Sequence, residues 1–227
     1  STELIKYHDV NKKNVVVIDI LRATTCICCA FDEGVKEILA FANPDEALKK
    51  RKEGYLIAGE QNGIKIDGFD LGNSPYDYIN LGVKDKKIAI STTNGTKALK
   101  ASEGADNVLI GSFLNIQALF DILLERGTNV LLFCAGWKGL ANTEDTIYAG
   151  MLISKLKNEG FEFEDDASEL SLNFFKSNSD SIYEVLFNSS HARRLSQHVD
   201  PQKDIKFASQ INTSSKVPVY RNGLIRL

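Results

Sequence analysis

Short apolar runs alternate along the chain with segments whose apolar positions recur at helical spacing. The stretch "VVVIDILRATT" opens the pattern: residues 14–20 are β-branched and aliphatic and predict a strand, and Thr24 to about Gly34 predicts a helix that Gly34 stops. Residues 37–41, "EILAF", suit a short strand. Asn43-Pro44-Asp45-Glu46 then places a cap, a first-turn proline and two acids at a helix start, and that helix runs to Glu53 before Gly54. Strands follow at 55–59, 87–91, 107–110 and 129–133, with helices at 97–102, 115–126 and 143–159 between and after them. Strands alternating with helices predict a mainly parallel or mixed sheet covered on both faces, a three-layer α/β/α arrangement with right-handed crossovers.

Two regions break the rhythm. Residues 60–75, "EQNGIKIDGFDLGNSP", are rich in glycine and acids, which predicts a long loop with a short hairpin around Ile64–Ile66 before Ser74-Pro75 opens a helix. Beyond residue 160, positions 165–198 read as helical and polar, and 204–208, 217–220 and 223–226 as short strands. This smaller C-terminal α+β portion either extends the sheet edge or forms a subdomain. No low-complexity linker separates it, so residues 1–227 are read as one domain.

A composition of 43% hydrophobic and 25% charged residues is that of a globular protein. The formal charge of −3 argues against a nucleic-acid partner, while a small anion needs only a local cluster of donors. No apolar run approaches the roughly 18 residues of a membrane span. The N-terminal "STELIKYHDVNKKN" lacks a charged-then-apolar leader, so a cytoplasmic location is expected. The four cysteines, Cys26, Cys28, Cys29 and Cys134, read as reduced buried thiols. A homo-oligomer stays open.

In a parallel sheet, ligands bind outside the carboxyl ends of the strands. The residues at those ends fall into two chemical sets. Thr24-Thr25, Thr92-Thr93-Asn94-Gly95-Thr96, Gly111-Ser112 with Asn115, and Cys134-Ala135-Gly136 with Lys138 offer hydroxyls and backbone N–H groups, which suit an oxyanion. Arg22 adds a fork for phosphate. The second set is acidic: Asp19, Glu60, Glu144 and Asp145. Acids among anion donors point to a divalent cation between carboxylate and phosphate, and Mg²⁺ fits because it shares its oxygen ligands in this way. Taken singly, each group has an ordinary structural use. Glu144 and Asp145 complement a helix dipole, "TTNGT" makes a turn, Asp19 pairs with Arg22, and Asp67 and Asp70 cap loops.

Several machines are excluded. The chain has neither a G-x-x-x-x-G-K-[ST] loop nor a G-x-G-x-x-G turn, and no G-x-S-x-G elbow. Cys134 begins the glycine-rich "CAGWKGL", but the arginine of a cysteine-phosphatase loop is replaced by Leu140. Asp19 lacks a second Asp two residues on, as the aspartyl nucleophile of the haloacid-dehalogenase type requires; Leu21 is there.

The blocks "VVVIDILRATT", "GEQNGIKIDGFDLGNSP", "STTNGT", "GSFLN" and "CAGWKGLANTEDTIYAG", in that order over about residues 14–153, resemble the 2-phosphosulfolactate phosphatase family of coenzyme M biosynthesis. The resemblance implies an α/β/α hydrolase that uses Mg²⁺ to remove phosphate from 2-phospho-3-sulfolactate, giving 3-sulfolactate. Two positions depart from the family pattern: Gln61 where a base often stands, and Asn212 where an acid does. On this reading Mg²⁺ is held by Asp19, Glu60 and one of Glu144 or Asp145, and Glu144 is the third ligand of choice. Asp19, Arg22 and Asp145 are the catalytic candidates, Asp145 as base for water. Direct attack by Asp19 is the alternative within the class. Phosphoryl oxygens lie against Thr24, Thr25, Thr92, Thr93, Asn94, Gly95 and Thr96, with Ser112, Asn115, Gly136 and Lys138 around the substrate. Lys138, Arg193 and Arg194 are the candidates for the sulfonate, while "HARRL" reads as a solvated helix face and His191 and His198 as surface residues. The competing readings are a phosphatase for another 2-phosphoacid and a non-catalytic binder of a phosphorylated metabolite.

Overall fold

The computed structural model describes Ser1 and residues 3–227. The strands are β1 (Asn14–Ile18), β2 (Glu37–Ala40), β3 (Leu56–Gln61), β4 (Ile64–Lys65), β5 (Lys87–Ser91), β6 (Asn107–Gly111), β7 (Val130–Cys134), β8 (Val219–Arg221) and β9 (Leu224–Arg226). The helices are α1 (Ala23–Asp32), α2 (Pro44–Lys49), α3 (Pro75–Leu81), α4 (Gly95–Ala101), α5 (Ile116–Arg126), α6 (Thr143–Asn158), α7 (Asp166–Asn178), α8 (Ile182–Phe187), α9 (Ser190–Leu195) and α10 (Gln202–Ala208). The expected cap of α2 forms, the side chain of Asn43 accepting from Asp45 N; ahead of α6 the cap is Asn142, which accepts from Asp145 N.

All nine strands join one mixed sheet in the order β4-β3-β5-β2-β9-β8-β6-β1-β7, flanked by helices in a three-layer α/β/α fold. Two parallel halves, β3-β5-β2 and β6-β1-β7, are joined through an antiparallel hairpin. That hairpin is C-terminal: β9 pairs with β2 and β8 with β6. Its turn is Asn222-Gly223, both at positive φ (50° and 84°), the combination a two-residue hairpin turn requires. The last strands therefore lie at the middle of the sheet rather than at its edge.

Residues 204–208, expected as a strand, are helical. Ile205 and Phe207 alternate with polar neighbours, but Asp200 Oδ1 accepts from Gln202 N beside Pro201 and starts a helix instead. Asp204, Ile205 and Ala208, at helical spacing, are the residues it buries. The expected hairpin near Ile64 is present as β3–β4.

One core packs Val15 and Val17 of β1, Ile88 and Ile90 of β5 and Tyr220 of the hairpin under α1, α3 and α4. A second packs the other face of β1 and β6 against α5, α6, α8, α9 and α10, and a smaller one lies under α2. The four cysteines are free thiols, three of them within the α1 core. No described helix is long and apolar enough to cross a membrane.

Four strands separate β5 from β1 in the sheet. A flat sheet would hold them roughly 24 Å apart. Yet a Cβ on Gly95, just after β5, would lie 2.5 Å from Ala23 Cβ and 3.0 Å from Asp19 Oδ2, just after β1. The sheet therefore curls around the face carrying α1 and α4, and the carboxyl ends of its two halves converge.

Candidate active site

At the end of β1 the chain closes on itself. Asp19 N donates to Thr24 Oγ1 at 3.0 Å, Asp19 Oδ1 accepts from Ala23 N at 3.2 Å, and Thr25 Oγ1 donates to the Ile20 carbonyl at 2.8 Å. The two threonine hydroxyls thus shape the strand-to-helix bend. Asp19 Oδ2 accepts no hydrogen bond among the described residues, and Asp19 lines a crevice. The turn after β5 is built the same way: Thr96 N donates to Thr92 Oγ1, and Thr96 Oγ1 to the Thr92 carbonyl.

Glu60, at the end of β3, binds this second turn and its own hairpin. Its carboxylate accepts from Thr93 N and Gly63 N, each at 2.6 Å, and from Thr93 Oγ1 at 3.1 Å. The "CAGWKGL" segment after β7 is a tight loop in which Trp137 and Leu140 exchange backbone hydrogen bonds, and Lys138 N reaches Asn94 Oδ1 at 3.4 Å. Trp137, Asn94, Asp19, Arg22, Glu60 and Asn73 all line the crevice, and Asn73 Oδ1 is buried there without a partner. The crevice is tight, with about 10 Å³ of free space, and adjoins a larger cavity of about 170 Å³.

Arg22 is buried and already anchored. Its Nη1 donates to Asp204 Oδ2 at 2.6 Å and its Nη2 to the Gly63 carbonyl at 2.8 Å. Ser74 Oγ donates to the other oxygen of Asp204 at 2.6 Å, so α10, the long loop and the β1 turn are locked together. A guanidinium has five N–H donors. Two are used here, and the rest remain for a ligand.

The acids crowd each other. Burial pushes the Asp19 carboxyl up to about 6; the His191 side chain and the Ala23 N–H oppose this, while Glu60 and Glu144 add to it. Burial raises Asp145 well above the usual carboxylate range, and the neighbouring Asp19 and Glu144 raise it further. Asp145 gives both oxygens to backbone donors, Ile20 N at 2.9 Å and Gly136 N at 3.1 Å, and so ties the β1 turn to the β7 loop. Glu144 is fully buried and faces His191, with Oε1 3.1 Å from Nδ1.

His191 corrects the sequence reading. It is 6% exposed, lines the crevice and packs 5.2 Å from the Trp137 ring, centroid to centroid. Its helix, α9, does not present a uniformly solvated face: Arg193 is exposed, but Arg194 is half-buried over Trp137. His198 is exposed, as expected. A lone histidine on a short helix has no local signal of burial, and neither do Asp204, Trp137 or Leu195, the other participants the sequence did not reveal.

Other expected residues are elsewhere. Ser112 and Asn115 are buried away from the crevice walls. Ser112 N donates to Asn115 Oδ1, and Asn115 Nδ2 donates to the Ile110 and Lys216 carbonyls, holding the C-terminal segment to β6. Lys138 is exposed, with Nζ 5.4 Å from the Trp137 ring centre. Asp70 caps a loop by accepting from Ile57 N and Arg51, and Asp67 is exposed. Asn212 caps α5 through Gln117 N. Burial pushes the Cys134 thiol up, so it is a thiol rather than a nucleophilic thiolate.

Among the described residues, no three His, Cys, Asp or Glu side chains are grouped at metal-binding spacing. The crevice does fit a cation that takes one or two carboxylates and completes its shell from water and phosphate. Asp19 Oδ2 accepts no hydrogen bond among the described residues, and Asp19 and Glu60 both line the crevice.

An α/β sheet whose converging carboxyl ends hold acids beside an anchored arginine has the place and the polar groups of a ligand-binding α/β protein. The particular family follows from comparison with known proteins. The family model described as 2-phosphosulpholactate phosphatase matches residues 1–223, and the chain belongs to that family, among hydrolases of phosphoric monoesters. It is 37% identical over 226 residues to a probable 2-phosphosulfolactate phosphatase of Caldanaerobacter subterraneus subsp. tengcongensis, covering 98% of this chain and 93% of the relative. Proteins with the same name from Carboxydothermus hydrogenoformans and Thermotoga maritima are 38% and 35% identical, covering 94% and 95% of this chain and 88% and 92% of theirs.

Proposed function

We propose that the chain hydrolyses 2-phospho-3-sulfolactate to 3-sulfolactate and inorganic phosphate with Mg²⁺. The observation that carries this reading is the pairing, in one buried crevice, of an Asp19 oxygen without a partner and an Arg22 guanidinium held in place by Asp204. Mg²⁺ held by Asp19 and Glu60 would neutralise charge on the phosphoryl oxygens. The unused N–H groups of Arg22 bind the same oxygens and stabilise the charge that builds on them during transfer. Thr24, Thr25, Thr92 and Thr96 fix the two turns, and Gly95 lets the turns approach closely.

Water attacks phosphorus, and the bond from phosphorus to the 2-oxygen of the substrate breaks. Asp145 has both oxygens on backbone donors, which leaves His191, oriented by Glu144, as the crevice group that takes the proton of the water and returns one to the departing alkoxide.

The test is phosphate release from 2-phospho-3-sulfolactate in Mg²⁺ and then in EDTA, beside other 2-phosphoacids. Metal-dependent release from the sulfonated compound supports the whole reading. Release from other phosphoacids alone replaces the substrate and keeps the chemistry. No release from any of them favours a non-catalytic binder.

A further inference from the structure

The crevice at the end of β1 is shut. Its free space of about 10 Å³ holds one water at most. A phosphate carries four oxygens, each about as large as a water, so a wall has to move before one can enter.

The walls differ in how they are held. The tip of the β3–β4 hairpin is fastened from three sides: Gly63 N donates to Glu60, the Gly63 carbonyl accepts from Arg22, and Asn62 N donates to Thr93 Oγ1 at 3.2 Å. The turns after β1 and β5 are closed by their own threonines. The remaining wall is α9, which contributes His191 and Leu195. Beyond its own turns and the end of α8, the segment 189–199 makes one hydrogen bond to the other described residues, between His191 Nδ1 and Glu144 Oε1. Ala192 is its one residue in the second core, and residues 196–200, which lead on to α10, are all exposed. A short helix with so few ties opens at far lower cost than the domain unfolds.

Leu195 is where this wall meets the fixed one. It is 3% exposed, yet it belongs to none of the three hydrophobic cores. Its Cδ2 would lie 2.8 Å from a Cβ on Gly63, so the missing side chain of the glycine is what gives it a seat. A leucine buried beside Asp19, Arg22 and Glu60 closes a polar crevice instead of filling a core.

We infer that α9 is a lid over the crevice, with Leu195 against Gly63 as its latch and residues 196–200 as its tether. Opening lifts Leu195 and His191 together and clears the crevice. Closing returns His191 to Glu144 and to the ligand, so entry and proton transfer take place in different conformations. The inference rests on the proposed reading of the crevice as the phosphate site.

Trp137 reports the position of the lid. It is the only tryptophan in the chain and is not part of α9, but its ring lies 5.2 Å from that of His191 and 4.7 Å from the Arg194 guanidinium carbon, both on α9. Lifting α9 strips both from the ring, so acrylamide quenching follows the open fraction. The experiment places Asn62→Cys on the hairpin tip and Gln197→Cys on the tether, two exposed positions on the same cavity of about 170 Å³, and joins them with a short thiol-to-thiol linker. Each single variant treated with the same reagent controls for modification alone. Linking should lower the quenching constant several-fold, and inorganic phosphate with Mg²⁺ should lower it in the unlinked protein only. Leu195→Ala, which frees the latch, should move it several-fold the other way. Turnover of the phosphoacid that wild type hydrolyses should be lost on linking and kept in the modified single variants. Quenching that neither the linker nor Leu195→Ala changes, or full turnover with the linker in place, overturns the lid. Wild-type protein that hydrolyses no phosphoacid sinks the phosphatase reading instead, and quenching in the linked and Leu195→Ala proteins still decides the lid.

Discussion

Arg22 and Asp204, 182 residues apart in the chain, form a 2.6 Å ion pair in which both side chains are more than nine-tenths buried. Such a pair adds little over an apolar replacement, but removing one partner strands the other charge. Asp204→Ala should therefore cost about 3–5 kcal/mol in urea unfolding. It should also depress kcat, because Arg22 loses the contact that aims it. Asp204→Asn keeps an acceptor for Arg22 and should lose less of both. An unfolding midpoint unmoved in Asp204→Ala would show that the pair does not hold the α10 segment to the β1 turn.

Gly95 is where the two halves of the sheet meet. A methyl group there would approach Ala23 Cβ to 2.5 Å, Asp19 Oδ2 to 3.0 Å and Thr92 Oγ1 to 3.2 Å. Overpacking of this kind costs about 1–3 kcal/mol. The functional cost should be larger, since misplacing a reacting group by about 1 Å can reduce rate on the order of 100-fold. Gly95→Ala should retain most of its melting temperature and lose most of its kcat. Full activity in that variant would mean that Asp19 does not need its present position.

Much of this architecture is local and could be read from sequence. Asn43-Pro44 announces its helix, and the polar residues after β1, β3, β5 and β7 mark the rim. What could not be read is long-range. Three-residue strands have no signal for where they insert, so the C-terminal hairpin, expected at an edge or in a subdomain, instead bridges β2 and β6. The same limit hides His191, whose burial depends on Trp137 and Glu144 arriving from elsewhere. The threonines show the reverse case. Their position after the strands was legible, but the hydroxyls of Thr25 and Thr96 bond within their own turns, and that of Thr93 donates to Glu60.

The central hairpin is fastened by Glu37. Its carboxylate accepts from Tyr55 Oη at 2.6 Å and Arg226 Nη2 at 2.5 Å, with Lys87 Nζ 3.1 Å away. Those groups, Tyr55 and Arg226 foremost, hold its pKa at about 2, below the ordinary 4.5. A carboxyl depressed by folding contributes stability above its unfolded pKa and loses it as pH falls through the folded one. The contribution should be complete above pH 4.5 and fade towards pH 2. Replacing Glu37 with Gln should flatten the fall in stability over that window, measured by urea unfolding at several pH values. An unchanged slope would remove Glu37 from the acid response.

Asp19 has the opposite sign. Folding raises its pKa from 3.8 to about 6, chiefly by burial, with Glu60 and Glu144 adding to the effect. The native state then holds a proton that the unfolded state has released. Its cost to stability is absent below pH 3.8, grows as pH rises, and is complete above about 6. Asp19→Asn removes the ionised form while leaving an oxygen to accept from Ala23 N. In EDTA, the variant should be more stable than wild type above pH 6, and the difference should vanish near pH 4. In Mg²⁺, wild type should regain stability and the variant should not, because a bound cation favours the charged carboxylate. Turnover should fall by at least about 100-fold, since the group that meets the developing phosphoryl charge is gone. Stability and activity thus move in opposite directions in one substitution, as at other sites where function retains a destabilised charge. If Asp19→Asn were no more stable than wild type in EDTA at pH 7, the carboxylate would already have its counter-ion within the protein, and Arg22 or His191 rather than a metal would be that partner.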